Sequence, residues 1–310
     1  MNRGSTSPRG RVGHSESRGG LAYGLAAYAL WGILPIYFKL LHRVSAVDIV
    51  AHRVLWSLPF LAILIAVAKG WTKVRSALRR GKTLGVLAVT AVLIGGNWLL
   101  YVHAVIGGHI LAASFGYYLN PLANVLLGRF VLHERLSRLQ WTAVGIAAVG
   151  ISVLAAEALG QLWISLTLCG TFALYGLLRK VVSADAVTGL AIETAMLFPV
   201  AVLWLGWRGW SGTQVMGITA SETGLLLAAG IVSTTPLLLF TAAARQLAYS
   251  TLGMLQFIAP TLQFLIAVLI YGEPFTSTHA IAFAAIWAAI ALYVTALAHA
   301  RRLPLPQPPE

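Results

Sequence analysis

Apolar runs of about twenty residues recur ten times in the 310-residue chain, at 21–38, 47–68, 84–105, 110–131, 139–156, 161–178, 187–207, 224–244, 247–271 and 280–298. About 30 Å of hydrocarbon divided by a helical rise of 1.5 Å per residue gives about 20 residues, so each run is long enough to cross a bilayer as a helix. The runs are continuously apolar rather than alternating. That pattern favours helices, which satisfy their own backbone hydrogen bonds in lipid, over barrel strands. With 58% hydrophobic and 10% charged residues, the chain fits neither a solvated enzyme surface nor an intrinsically disordered segment. The expected fold is an all-α polytopic membrane protein with ten transmembrane helices.

The net charge of +13 would suggest nucleic acid in a soluble protein, but the position of the charges argues otherwise. If the N-terminus is cytoplasmic, 18 of the 22 Lys and Arg residues fall in the first tail, alternate loops and last tail on the cytoplasmic side. Only Lys39, Arg43 and Arg208 face the other side, and Arg53 falls inside a span. In this count Arg179, Lys180 and Arg245 are loop charges. The asymmetry predicts both termini inside and no nucleic-acid partner.

Residues 1–19 are rich in Gly, Ser and Arg and read as a disordered basic tail; 300–310 form a Pro-rich tail. The single cysteine, Cys169, lies in an apolar run and reads as packing. The eight histidines have no ligand spacing with acids or cysteine, so no metal is expected. Gly107 and Gly108 open no phosphate-binding loop, so no nucleotide-driven motor and no cofactor is expected.

Sliding the chain by 139 residues places Pro121 on Pro260 and Glu134 on Glu273. Five spans per half is an odd number, so the second half enters the membrane inverted. The organisation predicted is two five-helix repeats, 20–158 and 159–299, of the kind that builds two access states. The same shift aligns Ser114, Tyr117, Pro121 and Asn124 with Gly253, Gln256, Pro260 and Gln263. The 3, 4, 3 spacing puts each set on one helical face, and Asn120 precedes the first proline. Amides in lipid need partners, which leaves two readings: hydrogen bonds between helices, or a polar wall of a central cavity. Pro121 and Pro260 each free one carbonyl and read as hinges.

The segments AYALWGILPIYFK (27–39), AHRVLWS (51–57), VLIGGNWLLYVHAV (92–105), SFGYYLNPLANVLLG (114–128), TGLAIETAMLFPV (188–200) and STLGMLQFIAPTLQFLIAVLIYGE (250–273) resemble the RarD-type permeases. Those belong to the EamA group of the drug/metabolite transporter superfamily. The resemblance spans about residues 20–298 and implies an inner-membrane carrier of 5+5 inverted repeats, in the cell membrane of a bacterium. It implies no particular substrate.

Glu193 is the one carboxylate well inside a span. It reads either as half of an ion pair with Arg53 or His52 or as a site of proton coupling or direct substrate contact. Asp48, four residues before His52, is an alternative partner for that imidazole. Tyr28 and Trp31 on the first span and Tyr175 on the sixth read as packing or as a cavity wall able to hold an apolar or cationic metabolite. Asn97 and Tyr101, four apart, give the third span a polar face.

The expected function is a secondary transporter of a small metabolite or drug-like solute working by alternating access, as a monomer or homodimer, with a proton as one candidate coupling ion. The alternatives are a passive channel or scaffold and, with less support, a membrane enzyme acting on lipid-linked substrates. The enzyme would need a cluster of nucleophile, base or metal ligands that the chain does not offer.

Overall fold

The computed structural model describes residues 18–41, 43–106, 110–155, 162–212, 215–270 and 277–302. All regular structure among them is helical: α1 Arg18–Leu40, α2 Ala46–Val67, α3 Trp71–Arg79, α4 Gly81–Ile106, α5 Ile110–Phe130, α6 Arg138–Ala155, α7 Leu162–Val181, α8 Ala186–Trp210, α9 Ala220–Gln246, α10 Tyr249–Gln256, α11 Ile258–Leu269 and α12 Ser277–Arg302. Six of these, α1, α2, α4, α7, α8 and α9, hold stretches long and apolar enough to cross a membrane. The described parts of α6 and α12 contribute shorter apolar stretches, Arg138–Val153 and Ala280–Ala296. Most of the two expected tails lies outside the described residues, but Arg18, Gly19 and residues 300–302 are helical.

Local chemistry sets several helix starts. Ser45 caps α2 by accepting from the Asp48 amide, and Asp185 caps α8 by accepting from the Thr188 amide. Thr219 and Glu222 form a reciprocal capping box at α9. The 69–82 connection contains α3, an amphipathic basic helix that buries Ala77 and exposes Trp71. One sequence expectation is corrected here. The run at 247–271 is not one helix. Pro260 has no N–H to return to the Gln256 carbonyl, and the chain divides there into α10 and α11. Pro121 sits inside α5, which stays continuous.

The outer faces carry large apolar side chains, among them Ile63, Val92, Val149 and Leu203, each more than half exposed. That is the reverse of a water-soluble bundle and suits lipid contact. Inside, α1 packs on α9 and α11, and α7 packs on α4 and α5. α2 packs on α8 and α9, α4 also on α8, α5 on α10, and α6 on α12. The main core gathers Tyr28, Leu61, Phe172, Tyr175, Phe240 and Tyr249 at the centre of α1, α2, α7, α9 and α10.

Candidate functional site

Two ends of the bundle are distinguished by what meets there. At one, α7 ends and α8 begins; at the other, α8 ends and α9 begins. Near the first, Glu193 projects from α8 at 1% exposure, and its Oε1 lies 3.6 Å from Nε of the wholly buried Arg179. That distance is an ion pair rather than a hydrogen bond. Thr90 on α4 donates to Oε1, and the Tyr175 hydroxyl on α7 donates to Oε2 at 3.4 Å. Arg179 also donates to the Ala186 and Asp185 carbonyls at 3.1 and 3.4 Å. Gly189, one turn before Glu193 on the same face, makes room for this: a methyl there would overlap the guanidinium.

The partner expected for Glu193 is thereby corrected, since neither Arg53 nor His52 pairs with it. His52 Nε2 instead shares a 2.7 Å hydrogen bond with the Val215 carbonyl, and its Nδ1 accepts from the Trp56 indole at 3.2 Å. Asp48 does not orient that imidazole either. It accepts from Arg208 at 2.8 Å and from the Trp204 indole at 3.0 Å, tying α2 to α8. Arg179 escaped the sequence reading because it sits in the last turn of a helix, where an arginine ordinarily reaches water. Lys180 beside it donates to the Ala244 and Leu247 carbonyls, and Arg245 to those of Val182 and Ala184. None of these three cations is a free loop charge.

Above this pair lies a cluster of rings. Tyr28 and Trp31 from α1, Phe172 and Tyr175 from α7 and Phe240 from α9 lie with neighbouring centroids 5.4–6.5 Å apart. The edge-to-face and tilted geometries are those aromatic pairs favour. Tyr117 of α5 continues the cluster, 6.2 Å from Phe172, and Tyr101 of α4 follows 5.6 Å from Tyr117. The Tyr117 hydroxyl donates to Asn97 Oδ1 at 3.0 Å. Asn97 Nδ2 donates to the Leu168 carbonyl and to Thr171 at 3.0 and 2.9 Å. One buried amide thus ties α4 to α5 and α7.

The polar stripe expected along α5 and its counterpart does not form one wall. Tyr117 faces Asn97, whereas Asn124, fully buried, donates to Gln256 Oε1 at 3.0 Å across the α5–α10 seam. Gly253 allows that seam to close, since a Cβ there would come 2.7 Å from the Pro121 carbonyl. Gln263 is exposed and donates to the Trp31 carbonyl. Asn120 is fully buried, and neither atom of its amide has a protein partner. The Ser114 side chain lies outside the described residues.

Toward the second end stands Arg53, partly exposed on α2. Its Cζ lies 4.4 Å from the centroid of the Trp98 ring, and its Nε is buried with no acceptor. The phenols of Tyr117, Tyr37 and Tyr101 surround it at electrostatic range. Trp98, Phe172 and Thr90 were not singled out from sequence, because aromatics and a lone threonine in apolar runs carry no signal until neighbouring helices place them. No cluster of three or more His, Cys, Asp or Glu that could hold a metal occurs among the described residues.

Comparison with known proteins gives this arrangement a context. Residues 18–156 match the model of the EamA-like transporter family. The chain is 46% identical over 287 residues to Protein RarD of Escherichia coli, covering 90% of this chain and 95% of that one. It is 45% identical over 279 residues to an uncharacterized transporter of Vibrio cholerae, covering 90% and 92% respectively. A solved crystal structure, 20% identical, aligns with a TM-score of 0.69 over 92% of this chain and 99% of its own, and shares the fold. An all-helical bundle with lipid-facing apolar surfaces and a buried polar centre, matched to these relatives over nine-tenths of its length, belongs to the RarD-type members of the EamA-like transporter family.

Proposed function

We propose that the chain is a secondary transporter that moves a small solute across the bacterial plasma membrane by alternating access. In this reading it makes ten crossings as two inverted five-helix repeats, with both termini cytoplasmic and α10 with α11 forming the ninth crossing. The helix pairings support the repeats. Exchanging α1 with α7, α2 with α8, α4 with α9, α5 with α10–α11 and α6 with α12 turns the observed α1–α9, α1–α11 and α2–α9 contacts into α7–α4, α7–α5 and α8–α4, which also occur. The relatives named as transporters support the activity class.

The observation that carries the reading is the unequal closure of the aromatic centre. At the α7–α8 end, Arg179, Lys180 and Arg245 bond to backbone carbonyls, while Glu134 accepts from the Tyr249 and Ser250 amides. Toward the other end Asp48 ties α2 to α8 through Arg208 and Trp204, but Arg53 remains partly exposed and Tyr101 is 37% exposed. A solute would enter from the open end, rest on the rings, and leave when the ties at the α7–α8 end part. On the charge rule the tied end is cytoplasmic. Glu193 acts in this scheme as the lock on Arg179. A proton taken up by Glu193 as Arg179 withdraws would couple transport to a pH gradient.

Counterflow in vesicles tests the class. Purified protein in sealed liposomes preloaded with an unlabelled solute should accelerate entry of the same solute in labelled form, which an open channel or a scaffold cannot do. Failure across a broad metabolite panel would reject the transporter reading.

A further inference from the structure

Arg53 is a permanent cation toward the second end of the bundle, and no ion pair to it occurs among the described residues. Arginine stays protonated in any protein environment, so burial cannot discharge it. Among the described residues, the two buried acids of the α2 and α8 helices are otherwise engaged: Asp48, five residues earlier on α2, by Arg208 and Trp204, and Glu193 by Arg179, Thr90 and Tyr175. The surrounding phenols are neutral. Two of them have already donated their protons, Tyr37 to the Leu225 carbonyl and Tyr117 to Asn97. The Trp98 ring offers a cation–π contact, which offsets part of the cost but gives the buried Nε no hydrogen bond.

The helix caps explain how this imbalance arises. Arg53 stands eight residues after its N-cap Ser45, and Glu193 stands eight residues after its N-cap Asp185. The two therefore occupy the same position in corresponding helices, one positive and one negative. On α7 the partner for Glu193 is Arg179. The register that places Trp31 on Tyr175 puts Pro35 at the corresponding position of α1, where no side chain of opposite charge is available. One half of the molecule thus holds a closed ion pair and the other an open cation.

We propose that Arg53 selects the charge of the solute, and that the solute is a small organic oxyanion, a carboxylate or phosphate on an apolar or aromatic body. This rests on the transporter reading above. The anionic group takes Nε and an Nη of Arg53 in a two-pronged hydrogen bond, satisfying the buried Nε, while Trp98 holds the guanidinium plane. The body of the solute lies along Tyr101, Tyr117 and Phe172, which run from Arg53 toward Trp31. Arg53 repels a cationic solute, although the rings alone would accept one.

The test compares four molecules of one shape with the purified full-length protein: phenylacetate, phenyl phosphate, phenylacetamide and 2-phenylethylamine. Binding is read by calorimetry and by the shift in melting temperature. Phenylacetate, phenyl phosphate or both should bind and stabilise, and the relative response of the two separates a carboxylate site from a phosphate site. The amide and amine should not. Arg53→Gln should lower affinity for the preferred acid about tenfold to a hundredfold, the range for one charged hydrogen bond. Arg53→Lys should keep the preference for acids with weaker binding. Melting of unliganded Arg53→Gln at or above the parent temperature establishes that it folds, as expected when an uncompensated cation is removed. Equal binding of amide and acid, no response to either acid, or an acid preference that survives in folded Arg53→Gln would overturn the proposal. Counterflow of neutral or cationic solutes alone would overturn it too, while leaving the transporter reading intact. Acid binding without any counterflow would have the opposite meaning.

Discussion

Arg179 and Glu193 form a buried ion pair, 0% and 1% exposed, that joins the last turn of α7 to the second turn of α8 through a 3.6 Å contact. Removing one partner leaves the other charge uncompensated, which costs about 3–5 kcal/mol, whereas replacing both with apolar residues of similar volume is often neutral. Glu193→Gln and Arg179→Gln should each lower the melting temperature and the yield of monodisperse protein. Arg179→Met with Glu193→Leu should recover most of the loss. Because Arg53 is not the partner, no substitution at Arg53 should rescue Glu193→Gln. Thermal unfolding in detergent, followed by size exclusion, checks all four.

Proton coupling separates from this structural role by transport. If Glu193 carries a coupling proton, Glu193→Gln should keep counterflow exchange and lose accumulation driven by a pH gradient. If it only locks Arg179, both activities should fall together with the amount of folded protein. Paired counterflow and gradient assays on the same vesicles read the difference.

Gly189 faces the Arg179 guanidinium, and a β-carbon there has no room. Gly189→Ala should therefore reproduce the destabilisation of Arg179→Gln. By contrast, a β-carbon at Gly145 on α6 meets nothing within 4 Å, so Gly145→Ala should be neutral or add about 0.5–1 kcal/mol from reduced chain entropy. Melting temperatures of the two variants, measured side by side, decide this.

The N-terminus of α10 has alanine, Ala248, at its cap position and no cap of its own. Glu134, from the α5–α6 connection, supplies one by accepting from the Tyr249 amide, the Ser250 amide at 3.0 Å and the Ser250 hydroxyl at 2.7 Å. Glu134→Ala should cost about 1–2 kcal/mol, with a smaller loss for Ser250→Ala. Hydrogen exchange should quicken first in the amides of 249–252, ahead of the rest of the bundle.

The membrane orientation is open to direct labelling. In a Cys169→Ser background, Ser76→Cys on α3 should be shielded from an impermeant thiol reagent in intact cells, and Ser211→Cys after α8 should be reached. The reverse pattern would invert the assignment of both ends.

The sequence alone determined the class of molecule, because crossing hydrocarbon demands a length and polarity of segment that a chain displays residue by residue. Helical content, the apolar outer faces, the family and the burial of Glu193 were all legible there. Position in three dimensions was not. Arg179 and Glu193 are fourteen residues apart with a turn between them, and only the packing of α7 on α4, with α8 alongside, brings them together and dries them. By the same cause Asn124 closes a seam and Gln263 turns outward, whereas the division of α10 from α11 beside Pro260 is a local effect that the proline already signalled. Arg53 shows the distinction most plainly. Its charge is fixed by its identity, but its lack of an acid partner among the described residues depends on every helix around it, since an ion pair forms only where two backbones carry both charges to one place.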